Sequence, residues 1–183
     1  MKKILIIVML VCLCGCKQEK YADLDKINEI DTSEISTFDF DLHCKEYLLF
    51  RVSDLKMLKG KNYDTRLYPA SLTKLATLGT VLKHVDNLDE TSCFSYEQYV
   101  SLINDDASLA YLDIEEDYAI RDLLYALVLP SGADAAVCLE NYFEKNGMSL
   151  IEEVNKYVKD LGCNDTNFVN TTGLHDDNHY TTL

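Results

Sequence analysis

No stretch of the 183-residue sequence stays apolar long enough to carry a helix across a bilayer. The run at residues 4–14 stops after eleven. Basic residues are also scarce, 17 against 31 acidic ones, for a formal net charge of −14. So acidic a surface repels nucleic acid and anionic lipid, and nucleic acid is not expected as a partner. Cys44, Cys93, Cys138 and Cys163 lie beyond the N-terminal run and show no CxxC or other metal-ligand spacing. They allow three pairings, but most read as buried thiols, and Cys138 falls in a helical stretch and reads as core. Internal repeats and low-complexity segments are absent, and the length suits one domain.

What is present begins with that apolar run. It follows Lys2 and Lys3 and has the length of a signal-peptide core. It ends in Leu13-Cys14-Gly15-Cys16, which resembles the bacterial lipobox, with Cys16 as the lipidated residue and new N-terminus. An ordinary signal peptide cut nearby is the alternative. Residues 1–15 are therefore expected to be a lipoprotein signal. The mature chain would be a cell-envelope protein, anchored in the membrane by acyl chains that each contribute about 0.8 kcal/mol per buried CH₂. Its charge would rest on 15 basic and 31 acidic residues once Lys2 and Lys3 are removed. Residues 16–40 are polar and acidic without a clear period and read as a tether. Residues 41–183 read as the folded domain.

Within that domain, residues 47–52 (YLLFRV) suit a strand, and residues 54–60 hold a second that could close a hairpin. Residues 68–83 (YPASLTKLATLGTVLK) repeat apolar residues at helical spacing, with Pro69 and Ser71 as start signals. Leu72, Leu75, Leu78, Val81 and Leu82 should then face the core. Residues 84–94 read as loop and residues 96–103 as a short helix. Residues 120–129 (IRDLLYALVL) are apolar nearly all round and should be buried on most sides, with Tyr118 and Tyr125 in the core or half-buried. Pro130 stops that helix. A further helix should open at Ser131 and end near Gly147. Ser149 and Glu152 form a capping box for a last one, with Gly162 as its C′ residue. Residues 168–183 read as loop.

Lys74 is the oddity. It lies one turn after Ser71 among residues expected to face inward, and positions i and i+3 share a helix face. A serine hydroxyl is a poor nucleophile until a neighbouring base takes its proton. A lysine serves if its pKa falls from about 10.4 toward 7, a cost of roughly 4 kcal/mol. Burial and the positive end of a helix both push that way. The simpler alternative makes Ser71 an N-cap and lets Lys74 snorkel to water.

The longer string YPASLTKLAT resembles the active-site serine motif of the penicillin-binding D-alanyl-D-alanine carboxypeptidases. DLLYALVLPSGADAA, residues 122–136, resembles the family's second motif and the helix before it. FVNTTGLHDDNHYTT, residues 168–182, resembles the stretch after its helical lobe. The resemblance implies an α/β fold of the β-lactamase and penicillin-binding type, a sheet packed on a helical lobe. It implies Ser71 as the acylated nucleophile, Lys74 as its base and Ser131 as the proton relay. The substrate would be a peptidoglycan stem peptide, with β-lactams as acylating inhibitors and no cofactor or metal. His175 and His179 beside Asp176 and Asp177 could suggest a metal, but the resemblance places them in a structural loop at the active-site rim.

Two departures accompany the resemblance. The second motif is usually Ser-Gly-Asn, and here Ala133 stands in the substrate-binding position of the asparagine. The third motif, Lys-Thr-Gly, belongs to a later strand. Lys59-Gly60 precedes Ser71, and Thr171-Thr172-Gly173 aligns with a loop of the family. The expectation is a C-terminally truncated form that holds the helical lobe and N-terminal strands but lacks the later strands. An inactive envelope lipoprotein is one alternative. A serine β-lactamase is another, although Glu152 and Glu153 read as surface residues rather than a deacylating base.

Overall fold

The computed structural model describes residues 42–54 and 56–183. The expected signal segment, the lipidation site Cys16 and the tether lie outside the described residues. The chain divides after Tyr63 into two compact units.

In the first unit, β1 (Tyr47–Arg51) pairs antiparallel with β2 (Lys56–Lys61), which is the hairpin expected from the aliphatic and aromatic run. Tyr47 faces Lys61 and Arg51 faces Lys56, and the register shifts between Leu49 and Phe50. Arg51 Nε donates to Asp54 Oδ1 at 2.8 Å across the turn.

The second unit is a helical lobe. A 3₁₀ turn (Ala70–Leu72) leads into α1 (Thr73–His84). Then come β3 (Thr91–Ser92), α2 (Tyr96–Asn104), β4 (Tyr118–Ala119), α3 (Ile120–Val128), α4 (Ala133–Lys145) and α5 (Leu150–Asp160). β3 lies inside residues 84–94, which read from sequence as loop, and pairs antiparallel with β4; two-residue strands carry no period. Isolated bridges join Leu67 to Thr181 and Asn167 to Tyr180, so the C-terminal segment runs back beside the entry to α1.

The helix ends follow local chemistry. Ser95 and Gln98 form a reciprocal capping box on α2. Ser149 Oγ accepts from the Glu152 N–H at the start of α5. Gly147 and Gly162 take positive φ, 73° and 89°, just past α4 and α5, as C′ glycines do.

α4 is the centre of the lobe. Ala133, Ala135, Ala136, Val137, Cys138, Leu139 and Phe143 are buried along it. Its small residues let α3 pack closely, and Ile120, Leu123 and Leu127 fill the space between. Burying each large side chain contributes about 1.5–3 kcal/mol. α1 packs along α5, and Gly79 permits it: a Cβ there would lie 2.6 Å from the Tyr157 hydroxyl.

Three expectations are corrected. The leucines of the 3₁₀ turn and α1 do not all face the core: Leu72, Leu75 and Leu82 are exposed, while Thr73, Lys74, Thr77, Thr80 and Val81 are buried. Threonine tolerates this because its hydroxyl finds a carbonyl, as Thr80 Oγ1 does on Ala76 O at 2.8 Å. α3 is buried on one side only, with Tyr125, Val128 and Leu129 exposed. Of the four described cysteines, all free, only Cys138 is buried, and Cys44 and Cys163 are exposed.

Candidate active site

The motif serines and lysine converge at the N-terminal end of α1. Lys74 Nζ lies 3.3 Å from Ser71 Oγ, and Ser131 Oγ donates to Ser71 Oγ at 2.8 Å. Lys74 is only 4% exposed. Its amine also donates to the Thr172 carbonyl at 2.6 Å. Snorkelling is therefore excluded, and Ser71 sits in the 3₁₀ turn ahead of the helix with no side-chain cap bond made. Burial pushes the Lys74 amine below its ordinary value, and the Asp134 carboxylate pulls it back.

Two turns hold the serines. Ala70 and Ser131 take positive φ, 48° and 62°, which non-glycine residues rarely adopt. Such strain costs on the order of 1–3 kcal/mol per residue and persists where the surroundings over-determine it. Around Ser131, Gly132 N–H donates to Ala126 O and Ala133 N–H to Ser108 O. Asp134, buried in the first turn of α4, accepts from the N–H groups of Ala110, Leu112 and Ala135. Ala133 is 1% exposed, and its methyl group offers Lys74 no acceptor.

Around Ala70, Thr73 Oγ1 donates to Ala70 O at 2.8 Å and meets His179 Nε2 at 2.8 Å. His179 Nδ1 accepts from the Val169 N–H at 3.1 Å. That acceptance fixes the neutral ring with its proton on Nε2. His179 is thus a buried link between the C-terminal segment and the Ser71 turn. His175 stacks edge-on against Tyr68 at the exposed rim.

The segment 170–173 completes the site. Asn170 Oδ1 accepts from Gly173 N–H and Thr172 Oγ1. Thr171 O accepts from Thr77 Oγ1 at 3.1 Å, and Thr171 Oγ1 donates to Glu140 Oε1. Sequence reasoning missed Thr73 and Glu140, and named Thr172 and His179 only as parts of a loop, without their contacts to Lys74 and Thr73. Beside the resemblance of residues 168–182, the local signal for this loop is Asn170 with Gly173 three residues on, a turn pattern.

A cleft of about 370 Å³ opens on Ser71, Lys74 and Ser131, with Leu72, Leu75, Leu127 and Val128 on its apolar side. Two serine hydroxyls and a dry amine stand in one hydrogen-bonded row. Among the described residues no cluster of His, Cys, Asp and Glu could hold a metal.

The chain is similar in sequence and fold to known proteins. Residues 31–183 match the sequence profile of the family described as D-alanyl-D-alanine carboxypeptidase. DacA of Haemophilus influenzae, a D-alanyl-D-alanine carboxypeptidase, is 34% identical over 139 residues, 73% of this chain and 35% of its own length. DacF of Bacillus subtilis is 28% identical over 125 residues, 68% of this chain and 32% of its own. Among solved structures, a mutant of the Streptomyces K15 DD-transpeptidase superposes with a TM-score of 0.73 at 27% identity, covering 79% of this chain and 58% of that one. Penicillin binding protein 5 of H. influenzae gives 0.71 at 29% identity, covering 80% and 44%. The chain thus spans about a third of the length of these two curated relatives. The fold is the α/β one of the penicillin-binding DD-peptidases, here represented by its helical lobe and few strands. By the family profile and the shared sequence, the chain belongs to the D-alanyl-D-alanine carboxypeptidase family.

Proposed function

We propose that this chain carries the nucleophile and base of a serine-type carboxypeptidase that trims peptidoglycan stem peptides ending in D-Ala-D-Ala. The observation that carries the reading is the row Lys74 Nζ, Ser71 Oγ, Ser131 Oγ, spaced 3.3 and 2.8 Å. Ser131 donates to Ser71, so the Ser71 proton is free to point at a neutral Lys74 amine. Ser71 Oγ would attack the carbonyl carbon of the penultimate D-alanine as Lys74 accepts its proton. The tetrahedral oxyanion would take a hydrogen bond from the Ser71 backbone N–H. The C–N bond then breaks, and the proton passes through Ser131 Oγ to the leaving amine of D-alanine. Water would then attack the ester carbonyl as Lys74 takes its proton, and that proton would return to Ser71 Oγ as the ester C–O bond breaks, leaving the amine neutral again. β-Lactams would acylate Ser71 in the same way.

Ala133 leaves Lys74 dependent on the Thr172 carbonyl, where an asparagine amide would add a partner. That substitution favours a second reading, an envelope protein that binds wall peptide without cleaving it. In either case the chain would be exported, with residues 1–15 removed, Cys16 lipidated, residues 16–40 as tether and residues 41–183 as domain.

Release of D-alanine from a diacylated Lys-D-Ala-D-Ala peptide tests the reading. The protein should release it, and Ser71→Ala and Lys74→Ala should not. Peptide binding with no release would favour the second reading.

A further inference from the structure

The carbonyl that Lys74 meets belongs to a loop, and a loop needs an anchor to hold an acceptor at 2.6 Å. Two successive carbonyls of that loop, Thr171 O and Thr172 O, face Thr77 and Lys74, which are i and i+3 on one side of α1. Asn170 ties the loop to itself, through Thr172 Oγ1, Gly173 N–H and Leu174 O. The side chain that ties it to the centre of the lobe is Glu140 of α4, which accepts the Thr171 hydroxyl.

We propose that Glu140 is a positioning residue for Lys74, acting through Thr171 to hold the Thr172 carbonyl against the amine. The inference rests on reading Lys74 as the base. A half-buried carboxyl such as this one carries a desolvation cost that a surface residue avoids. Burial raises the Glu140 carboxyl, against the hydrogen bond from Thr171, and Glu144 pushes it further up. Ionised or neutral, it keeps an oxygen that accepts from Thr171, so the tie survives across pH. Without it the Thr171 hydroxyl loses its partner, the loop loosens and water reaches Lys74. The amine would then regain hydration and titrate nearer its ordinary value.

The test follows Lys74 by NMR in the full chain labelled with ¹³Cε-lysine, its signal assigned by its loss in Lys74→Arg. In the parent, Lys74 should titrate below the other lysines. Glu140→Gln, which keeps an acceptor oxygen for Thr171, should leave the Lys74 titration where it is. Glu140→Ala and Thr171→Val should each raise it by about one unit, the ordinary spread of lysine values in proteins. The double variant should go no further, since both remove one link. A Lys74 titration unmoved in Glu140→Ala, whatever its melting temperature, overturns the inference. So does a Glu140→Gln that shifts as far as Glu140→Ala. Should Glu140→Ala fail to fold, the near-isosteric Thr171→Val decides by the same shift. An ordinary Lys74 titration in the parent would sink the reading of Lys74 as base, and this inference with it.

Discussion

Gly173 lies against the backbone of Ala70: a Cβ on Gly173 would sit 2.0 Å from the Ala70 carbonyl oxygen and 3.0 Å from the Ser71 nitrogen. The loop that supplies the Lys74 acceptor and the turn that carries Ser71 are thus packed backbone to backbone. Only a residue without a side chain fits, and its φ of 79° asks for glycine as well.

Gly173→Ala should therefore displace the Ser71 turn and cost about 3 kcal/mol or more, as strain at a special backbone position does. Gly147→Ala is the control. Gly147 also has positive φ, 73°, but a Cβ there meets nothing within 4 Å. It should cost only about 1–2 kcal/mol for the left-handed backbone. Urea denaturation of both variants checks the contrast, and equal losses would mean the close approach is unimportant.

Lys74 should be required as a base and dispensable for folding. Lys74→Ala and Lys74→Arg should both reduce acylation by about 10²–10⁴-fold, since guanidinium stays charged and cannot accept the proton. Lys74→Met, which removes the buried amine and keeps the stem, should leave the melting temperature unchanged or higher. Because burial lowers the Lys74 pKa, the acylation rate should rise with pH and level off below the ordinary lysine value near 10.4. A rate that keeps climbing to that value would place the amine in water.

His179 should make the lobe sensitive to acid. Burial lowers its pKa, against the pull of Asp176, and His175 lowers it further. The folded value lies below the unfolded one near 6.5, so the unfolded chain binds more protons between the two. The stability contributed is full above about 6.5 and is lost as pH falls through that window to the folded value. Protonating Nδ1 also removes the acceptor for Val169 N–H. Denaturation midpoints between about pH 7.5 and 5 should fall less steeply in His179→Gln than in the parent. Parallel slopes would assign the acid sensitivity to other groups.

The thiols should separate by reactivity. Cys138 is buried and its thiol is pushed up to about 12, while Cys44 and Cys163 are exposed. Iodoacetamide at mildly alkaline pH should label Cys44 and Cys163 in the folded protein, and Cys138 only after denaturation. Peptide mass spectrometry reads this directly. Early labelling of Cys138 would mean that α4 opens readily.

Much of the helical lobe is legible in the sequence because its stops and starts are local. Gly147, Gly162 and the Ser149–Glu152 pair mark their termini through chemistry within four residues. Ser71 and Lys74 are legible for the same reason, being one helical turn apart. The buried face of α1 is not. Hydropathy places Leu75 inside, yet it is 56% exposed, and the threonines go in because carbonyls of a loop some ninety residues later receive Thr77 and Lys74. A backbone acceptor such as Thr172 O has no side-chain signature, and neither does the left-handed backbone of Ala70 and Ser131.

The central claim is that Ser71 becomes acylated with Lys74 as its base. Mass spectrometry after incubation with benzylpenicillin tests it most directly. Trypsin cuts after Arg66 and Lys74, so the motif serine leaves on the peptide LYPASLTK. The account predicts one penicilloyl group on that peptide, absent in Ser71→Ala and strongly slowed in Lys74→Ala, where the loss of the lysine extends the tryptic peptide to Lys83. An adduct elsewhere on the chain, or none on this peptide in the intact protein, would contradict it.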